Sequence, residues 1–134
     1  MPLNDACIPA FAGFVLSYHL LAPYCTTMKQ RAWILTAMSS FLTSVAALPY
    51  ACDFFCSGGQ LDLLRPTNQW SDRVVGVFQG YLIADLTIGA IYYRKYVSLM
   101  TGWIHHTLYF IMLQYVFSVG WTSIFCLALI MEVC

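Results

Sequence analysis

Three ionisable side chains lie in apolar surroundings within one stretch of the chain. Asp85 is near the middle of an apolar segment, and His105 and His106 open the next one after the basic turn Arg94-Lys95. Inside a membrane such groups are costly unless they are paired or face water, and they mark functional sites by default. A carboxyl that orients an imidazole could support proton abstraction or acyl transfer.

Counting along predicted helices places these side chains at one depth. Asp85 lies about 12 Å from Tyr93, and the two histidines lie about 12–14 Å from Val97, at the same end of the hairpin. Glu132 lies about 16 Å from Trp121, measured from the opposite end, and so near the midplane. The sequence therefore predicts one buried polar layer built from three helices.

The helical wheel predicts a role for each histidine. His105 shares a face with Thr101 and Tyr109, so we expect it to be the partner of Asp85, while His106 points toward a substrate cavity. The side chains predicted to contact a substrate are Tyr81, Tyr109, Thr101 and Glu132. Adjacent histidines diverge by about 100° on a helix, so no metal site is predicted.

Composition predicts the class of protein. Of 134 residues, 60% are hydrophobic and only 9% are charged, against about 25% charged in a soluble domain. Six basic residues balance six acidic ones, which gives no basic surface for nucleic acid. We therefore expect an all-α, polytopic transmembrane helix bundle that forms a single, partial domain over residues 1–134. The predicted spans are about 8–25, 32–50, 74–93, 97–119 and 121–134. The last is shorter than the roughly 20 residues that cross a bilayer, so the chain is expected to continue.

Small and hydroxyl residues predict how the helices pack. Gly76, Gly80 and Ala84 form a small-xxx-small row, which favours a close helix partner and is one candidate route to an oligomer. The row points away from Asp85, so we expect this helix to be central. A second stripe is read as packing, with a polar pocket as the alternative; its members are Thr36, Ser39, Ser40 and Thr43. His19 is interpreted as a histidine satisfied by a neighbouring helix.

Basic residues predict the orientation in the membrane. They are divided among three connections, with Lys29 and Arg31 in the first, Arg65 and Arg73 in the second, and Arg94 and Lys95 in the third. The first and third connections are therefore expected in the cytosol, with the N-terminus lumenal. Cys52 and Cys56 lie in the predicted second loop, where four-residue spacing on a helix would allow a disulfide. Two cysteines alone make a poor zinc site.

Several segments together resemble the TLC domain family. They are GYLIADL, then GWIHHTLYF one helix later, then IMEVC, with MKQRAW and a serine pair near the start. The resemblance covers residues 29–134. It implies an endomembrane protein of lipid metabolism, usually in the endoplasmic reticulum. By motif match, Asp85, His105 and His106 would be its site residues, with Glu132 the later acid.

The departures from the family point to a divergent branch. Ceramide synthases, its best understood members, transfer a fatty acyl group from acyl-CoA to a sphingoid amine. Here Phe41-Leu42 stand where many relatives have a histidine, and no acid follows His106 until Glu132. The chain therefore looks less like a synthase than like members linked to lipid sensing or trafficking.

Three functions are compatible with these residues. The favoured one is an integral membrane protein of lipid homeostasis that binds or regulates membrane lipids through the polar layer. The second is an N-acyltransferase with acyl-CoA as co-substrate, in which His105, His106 and Asp85 would be catalytic. The third is a transporter or a helix bundle without chemistry. Beyond acyl-CoA no cofactor is predicted, and whether the protein is an enzyme stays open.

Overall fold

The chain folds as a bundle of α-helices. The computed structural model describes residues 3–64 and 66–130, and those residues contain no β-strand. Its α-helices are α1 (Cys7–Leu21), α2 (Met28–Cys56), α3 (Gln69–Tyr92), α4 (His105–Ser118) and α5 (Thr122–Ala128). Short 3₁₀ turns cover Ala22–Tyr24, Leu61–Leu64 and Arg94–Tyr96, and a π-helix covers Leu99–Ile104 directly before α4.

Three helical segments are long and apolar enough to cross a membrane. They are Cys7–Tyr24, Met28–Cys56 and Gln69–Tyr92. These segments support the predicted class, an all-α membrane protein, but they do not confirm the predicted count of five spans. The fourth predicted span is divided between the π-helix and the 14 residues of α4. The end of the fifth, including Glu132, lies outside the described residues.

Helix α3 is the centre of the bundle, as predicted. In its most apolar window 61% of the residues are buried, against 22% and 28% in the first two segments. Trp70 of α3 donates its indole N–H to the carbonyl of Ala46 on α2, and Gln79 donates to Gln114 on α4. Further along α3, Tyr81 meets Thr36 of α2 and Asp85 meets His106 of α4, so α2 and α4 run antiparallel to α3. Helix α1 runs parallel to α3, because Asn4 just before α1 bonds to Asp72 and His19 near its end bonds to Tyr92.

His19 fastens α1 to the end of α3. Its Nδ1–H donates to the carbonyl of Val15 at 2.8 Å, since a carbonyl can only accept. Its Nε2 therefore accepts from the hydroxyl of Tyr92 at 3.0 Å. This confirms the interpretation of His19 as a histidine satisfied by a neighbouring helix.

The small-residue row of α3 lies against α1. A Cβ added at Gly80 would lie 2.7 Å from the carbonyl oxygen of Cys7 and 2.8 Å from the amide nitrogen of Phe11. Gly76 faces Asn4 and Ala6 in the same way. The close helix partner that the row predicts is thus present within the chain. An oligomer through this row stays a prediction.

Helix α2 continues further than the sequence predicted. The predicted loop began at Ala51, but the helix runs through Pro49 to Cys56. Membrane helices tolerate proline because neighbouring groups re-satisfy the freed backbone. The turn comes at Gly58 and Gly59, whose φ angles of 73° and 87° suit glycine. Cys52 and Cys56 are therefore exposed, free thiols on the last turns of α2.

We expect both thiols to react with a membrane-impermeant maleimide only from the lumenal side. In sealed microsomes, labelling of Cys52 and Cys56 should appear once the lumen is opened by mild detergent. Cys25, at the other end of α2, provides the matched control. A variant in which Cys25 is the only cysteine should be labelled from the cytosol. Cytosolic labelling of Cys52 and Cys56 would reverse the predicted orientation.

Candidate functional site

Two glycines bring α3 and α4 together at their hairpin. The side chain of Val97 lies between Gly89 on α3 and Gly102 in the π-helix. A Cβ at Gly102 would lie 2.5 Å from Cγ1 of Val97, so neither glycine position has room for a side chain. One helical turn further into the bundle from each glycine, Asp85 and His106 face each other.

Asp85 and His106 form the central contact of the site. Nε2 of His106 lies 3.1 Å from Oδ2 of Asp85, and the two side chains are only 11% and 12% exposed. The pair is close, but its alignment is not that of a linear hydrogen bond, and Nε2 has no aligned partner. The contact is therefore an electrostatic one, which a small rotation of the ring would convert into a hydrogen bond.

The contact of the other ring nitrogen of His106 determines how many protons the Asp85–His106 pair shares. Nδ1 lies 2.9 Å from the carbonyl oxygen of Gly102. Because a carbonyl can only accept, Nδ1 carries a hydrogen and the neutral ring leaves a lone pair on Nε2. An attractive contact with Asp85 thus requires one shared proton, either on Nε2 or on the carboxyl. Either way the pair is neutral overall, which reduces its cost of burial.

Tyr93 completes the surroundings of Asp85. Its hydroxyl donates to Oδ1 of Asp85 at 3.0 Å, and the Tyr93 side chain is buried. Each carboxyl oxygen therefore has its own neighbour, Tyr93 on one side and His106 on the other. The arrangement is a three-residue chain, Tyr93–Asp85–His106, that begins beside the hairpin turn and leads inward.

The prediction that His105 is the partner of Asp85 was wrong. His105 lies on the exposed side of α4, where its ring stacks on Tyr109 with centroids 4.5 Å apart. The inner face of α4 is the neighbouring one, which carries Gly102 and His106. The wheel placed the two histidines on adjacent faces correctly, but it could not tell which face meets α3. Gly102, four residues before His106, was the signal, because close helix approach requires a small residue.

The π-helix lies at the start of this inner face. Residues Leu99–Ile104 form it, and the hydroxyl of Ser98 accepts from the amide of Thr101 at its N-terminus. Single π turns inside α-helices are frequent at functional sites. Here the segment presents the carbonyl of Gly102 to His106. The backbone of the π-helix therefore fixes the orientation of the His106 ring.

A small polar cavity adjoins the two histidines. Its volume is about 80 Å³, and residues of α2, α3 and α4 line it: Thr36, Ser39, Ser40, Thr43, Phe78, Tyr81, Leu82, His105 and His106. The hydroxyl stripe of α2 was interpreted as packing, with a polar pocket as the alternative. The alternative describes the structure better, since all four members of the stripe line the cavity.

Ser39 is the unusual member of this lining. It is 1% exposed, and its Oγ finds no hydrogen-bond partner in the part of the chain that the structure describes. Thr43, by contrast, donates to the carbonyl of Ser39 at 2.8 Å. A buried hydroxyl without a partner costs about 1–3 kcal/mol. Ser39 is therefore available to a water molecule or a bound ligand in the cavity.

The other predicted substrate contacts fall in different places. Tyr81 lines the cavity, and its hydroxyl lies 3.3 Å from Oγ1 of Thr36. Tyr109 lies behind His105, outside the cavity lining. Thr101 is exposed at the start of the π-helix, also away from the cavity. Glu132 lies outside the described residues.

Tyr93 is a site residue that the sequence did not reveal. The sequence predicts Tyr93 only as the end of a span, although its position two turns after Asp85 places it on the same side of the chain. Gln79 is fully buried and donates to Gln114 at 3.0 Å. This pair lies outside the cavity lining and joins α3 to α4. Among the described residues, no group of three His, Cys, Asp or Glu side chains is placed to hold a metal ion.

Comparison of the chain with protein-family models, curated proteins and solved structures found no significant match in any of the three. The resemblance to the TLC domain family therefore rests on the sequence segments alone and stays a prediction.

Proposed function

We propose that this membrane protein binds the polar part of a lipid in the cavity beside His105 and His106. The observation that carries the proposal is Ser39, a buried hydroxyl without a partner in a cavity shared by three helices. A volume of about 80 Å³ has room for a hydroxyl or amide group but not for an acyl chain. The acyl chain of such a lipid would lie outside the cavity, between the helices and the bilayer.

Acyl transfer is the second candidate, and the site supports it less well. Both nitrogens of His106 face protein groups, Gly102 on one side and Asp85 on the other. His106 is therefore a positioning residue, because Asp85 and Gly102 already occupy the space within 3.1 Å of its two nitrogens. His105 lines the cavity and would be the base if a reaction occurs. A role in lipid homeostasis without chemistry fits this arrangement best.

The cellular placement belongs to the same proposal. The connection from α1 to α2 and the one from α3 to α4 lie at one end of the bundle, and together they carry Lys29, Arg31, Arg94 and Lys95. Positive charge favours the cytosolic side. We place the N-terminus in the lumen, and the family resemblance favours the endoplasmic reticulum.

Replacing Ser39 by alanine should weaken lipid binding while stabilising the free protein. The change removes a buried hydroxyl without a partner, so we expect unfolding to cost about 1 kcal/mol more. The same change removes one hydrogen bond to the ligand, so crosslinking to a photoactivatable ceramide should fall about fivefold. Ceramide is the probe because it offers both an amide and hydroxyl groups.

Ser44→Ala is the matched control. Ser44 is on the same helix, donates to the carbonyl of Ser40 at 2.5 Å, and does not line the cavity. It should leave ceramide crosslinking unchanged. Equal crosslinking in Ser39→Ala and Ser44→Ala would exclude the cavity as the binding site. Formation of an acylated product from acyl-CoA and an amine lipid, lost in His105→Ala, would favour acyl transfer instead.

A further inference from the structure

A second, larger depression lies at the other end of α3. It is an open groove of about 900 Å³ between α1, α2 and the first turns of α3. Its walls are mostly apolar and include Phe41, Leu42, Val45, Val74 and Val77. Phe41 and Val45 are 70% and 50% exposed. In a membrane-spanning bundle, a groove of this kind faces the acyl chains of the bilayer.

The end of the groove is charged. Asp5 and Arg73 both line it and are both exposed. Neither makes an ion pair within the part of the chain that the structure describes. The third charged group, Asp72, is already engaged, because its Oδ1 accepts from the hydroxyls of Thr67 and Thr122 at 2.8 and 2.7 Å.

Trp70 marks the level of this end in the membrane. Its indole N–H donates to the carbonyl of Ala46, which holds the ring across the groove between α3 and α2. Tryptophan is enriched where acyl chains meet headgroups, since its ring is amphipathic. Asp5 and Arg73 therefore lie at headgroup level, with the apolar walls below them.

We infer that this groove binds a zwitterionic phospholipid. The guanidinium of Arg73 suits the phosphate, because arginine forms paired hydrogen bonds with phosphate oxygens. The carboxylate of Asp5 suits the ammonium at the end of the headgroup. The two acids and one base at this end sum to a formal charge of −1, which disfavours a lipid with net negative charge. The acyl chain would lie along Phe41, Val45 and Val77.

The charged end of this groove is separate from the cavity beside the histidines, although Thr43 lines both depressions. Arg73 precedes Asp85 on α3 by about 18 Å along the helix axis. Substitutions at Asp5 or Arg73 therefore leave Asp85, His106 and Ser39 untouched. The inference does not depend on the proposed function, and either one can fail while the other stands.

The test is lipid retention by the full chain in detergent, measured by native mass spectrometry with phosphatidylcholine or phosphatidylglycerol added. Phosphatidylcholine should bind to the unaltered chain several-fold better than phosphatidylglycerol. Arg73→Gln and Asp5→Asn should each weaken phosphatidylcholine binding about tenfold. Arg94→Gln is the matched control, because Arg94 is exposed at the opposite end of α3, and it should change nothing.

Two results would overturn the inference. One is retention of phosphatidylcholine by Arg73→Gln equal to that of Arg94→Gln. The other is equal retention of phosphatidylglycerol and phosphatidylcholine by the unaltered chain, which would mean general lipid coating. Both variants change exposed side chains, so their helical content by circular dichroism should match the unaltered chain.

Discussion

Gly80→Leu should separate α1 from α3 and lower the free energy of unfolding by about 3 kcal/mol or more. The reason is that the space beside Gly80 is filled by backbone. A Cβ there would lie within 2.8 Å of the carbonyl of Cys7 and the amide of Phe11. Backbone atoms inside a helix cannot move aside as the end of a flexible side chain can. The loss should be read from thermal unfolding in detergent micelles.

Gly13→Leu is the matched control on the partner helix. A Cβ at Gly13 would meet no atom within 4 Å, and glycine is a poor helix former. That variant should therefore unfold at the same temperature as the unaltered chain or a higher one. Equal stability of Gly80→Leu and Gly13→Leu would mean that α1 does not pack on α3 as described.

Much of the fold follows from local patterns in the sequence. The row of Gly76, Gly80 and Ala84 predicted a close helix partner for α3, and in the structure that partner is α1. The surplus of apolar residues predicted membrane helices. The end of α2 could not be predicted in the same way, because Pro49 and Asp53 are typical of loops in soluble proteins. In a membrane helix the surrounding packing outweighs that local preference.

The depth of the site in the membrane could be predicted from the sequence, but the pairing of Asp85 with His106 could not. Counting residues placed Asp85 and the histidines at one level, and the contact between Asp85 and His106 confirms that agreement. The choice between His105 and His106 depended on which face of α4 meets α3. That is decided by the fit of Val97 between Gly89 and Gly102, a contact between residues on two helices. A single helical wheel has no information about such a fit.

Asp85→Ala should abolish ceramide binding and destabilise the fold. The change leaves the hydroxyl of Tyr93 and the Nε2 of His106 buried without the carboxyl that both face. Each buried polar group left without a partner costs about 1–3 kcal/mol. His106→Ala should have a smaller effect on stability, because the hydroxyl of Tyr93 still donates to Asp85. Loss of binding is expected in both, since the ring also lines the cavity.

The adjacent histidine provides the comparison for this pair. His105→Ala should leave the fold nearly unchanged, because the ring is exposed and stacks only on Tyr109 and His106 among the described side chains. Asp85 and His105 are not in contact, so their substitutions should add. The two histidines differ by one position in the chain but should differ clearly in their coupling to Asp85.

A pair of double-mutant cycles on unfolding free energy is the most direct measurement of this arrangement. For Asp85→Ala with His106→Ala, the coupling should be roughly 0.5–1.7 kcal/mol, the range of hydrogen bonds between membrane helices. For Asp85→Ala with His105→Ala, the coupling should be near zero. Additivity in the first cycle, or an equal coupling in the second, would contradict the pairing of Asp85 with His106 on which the site depends.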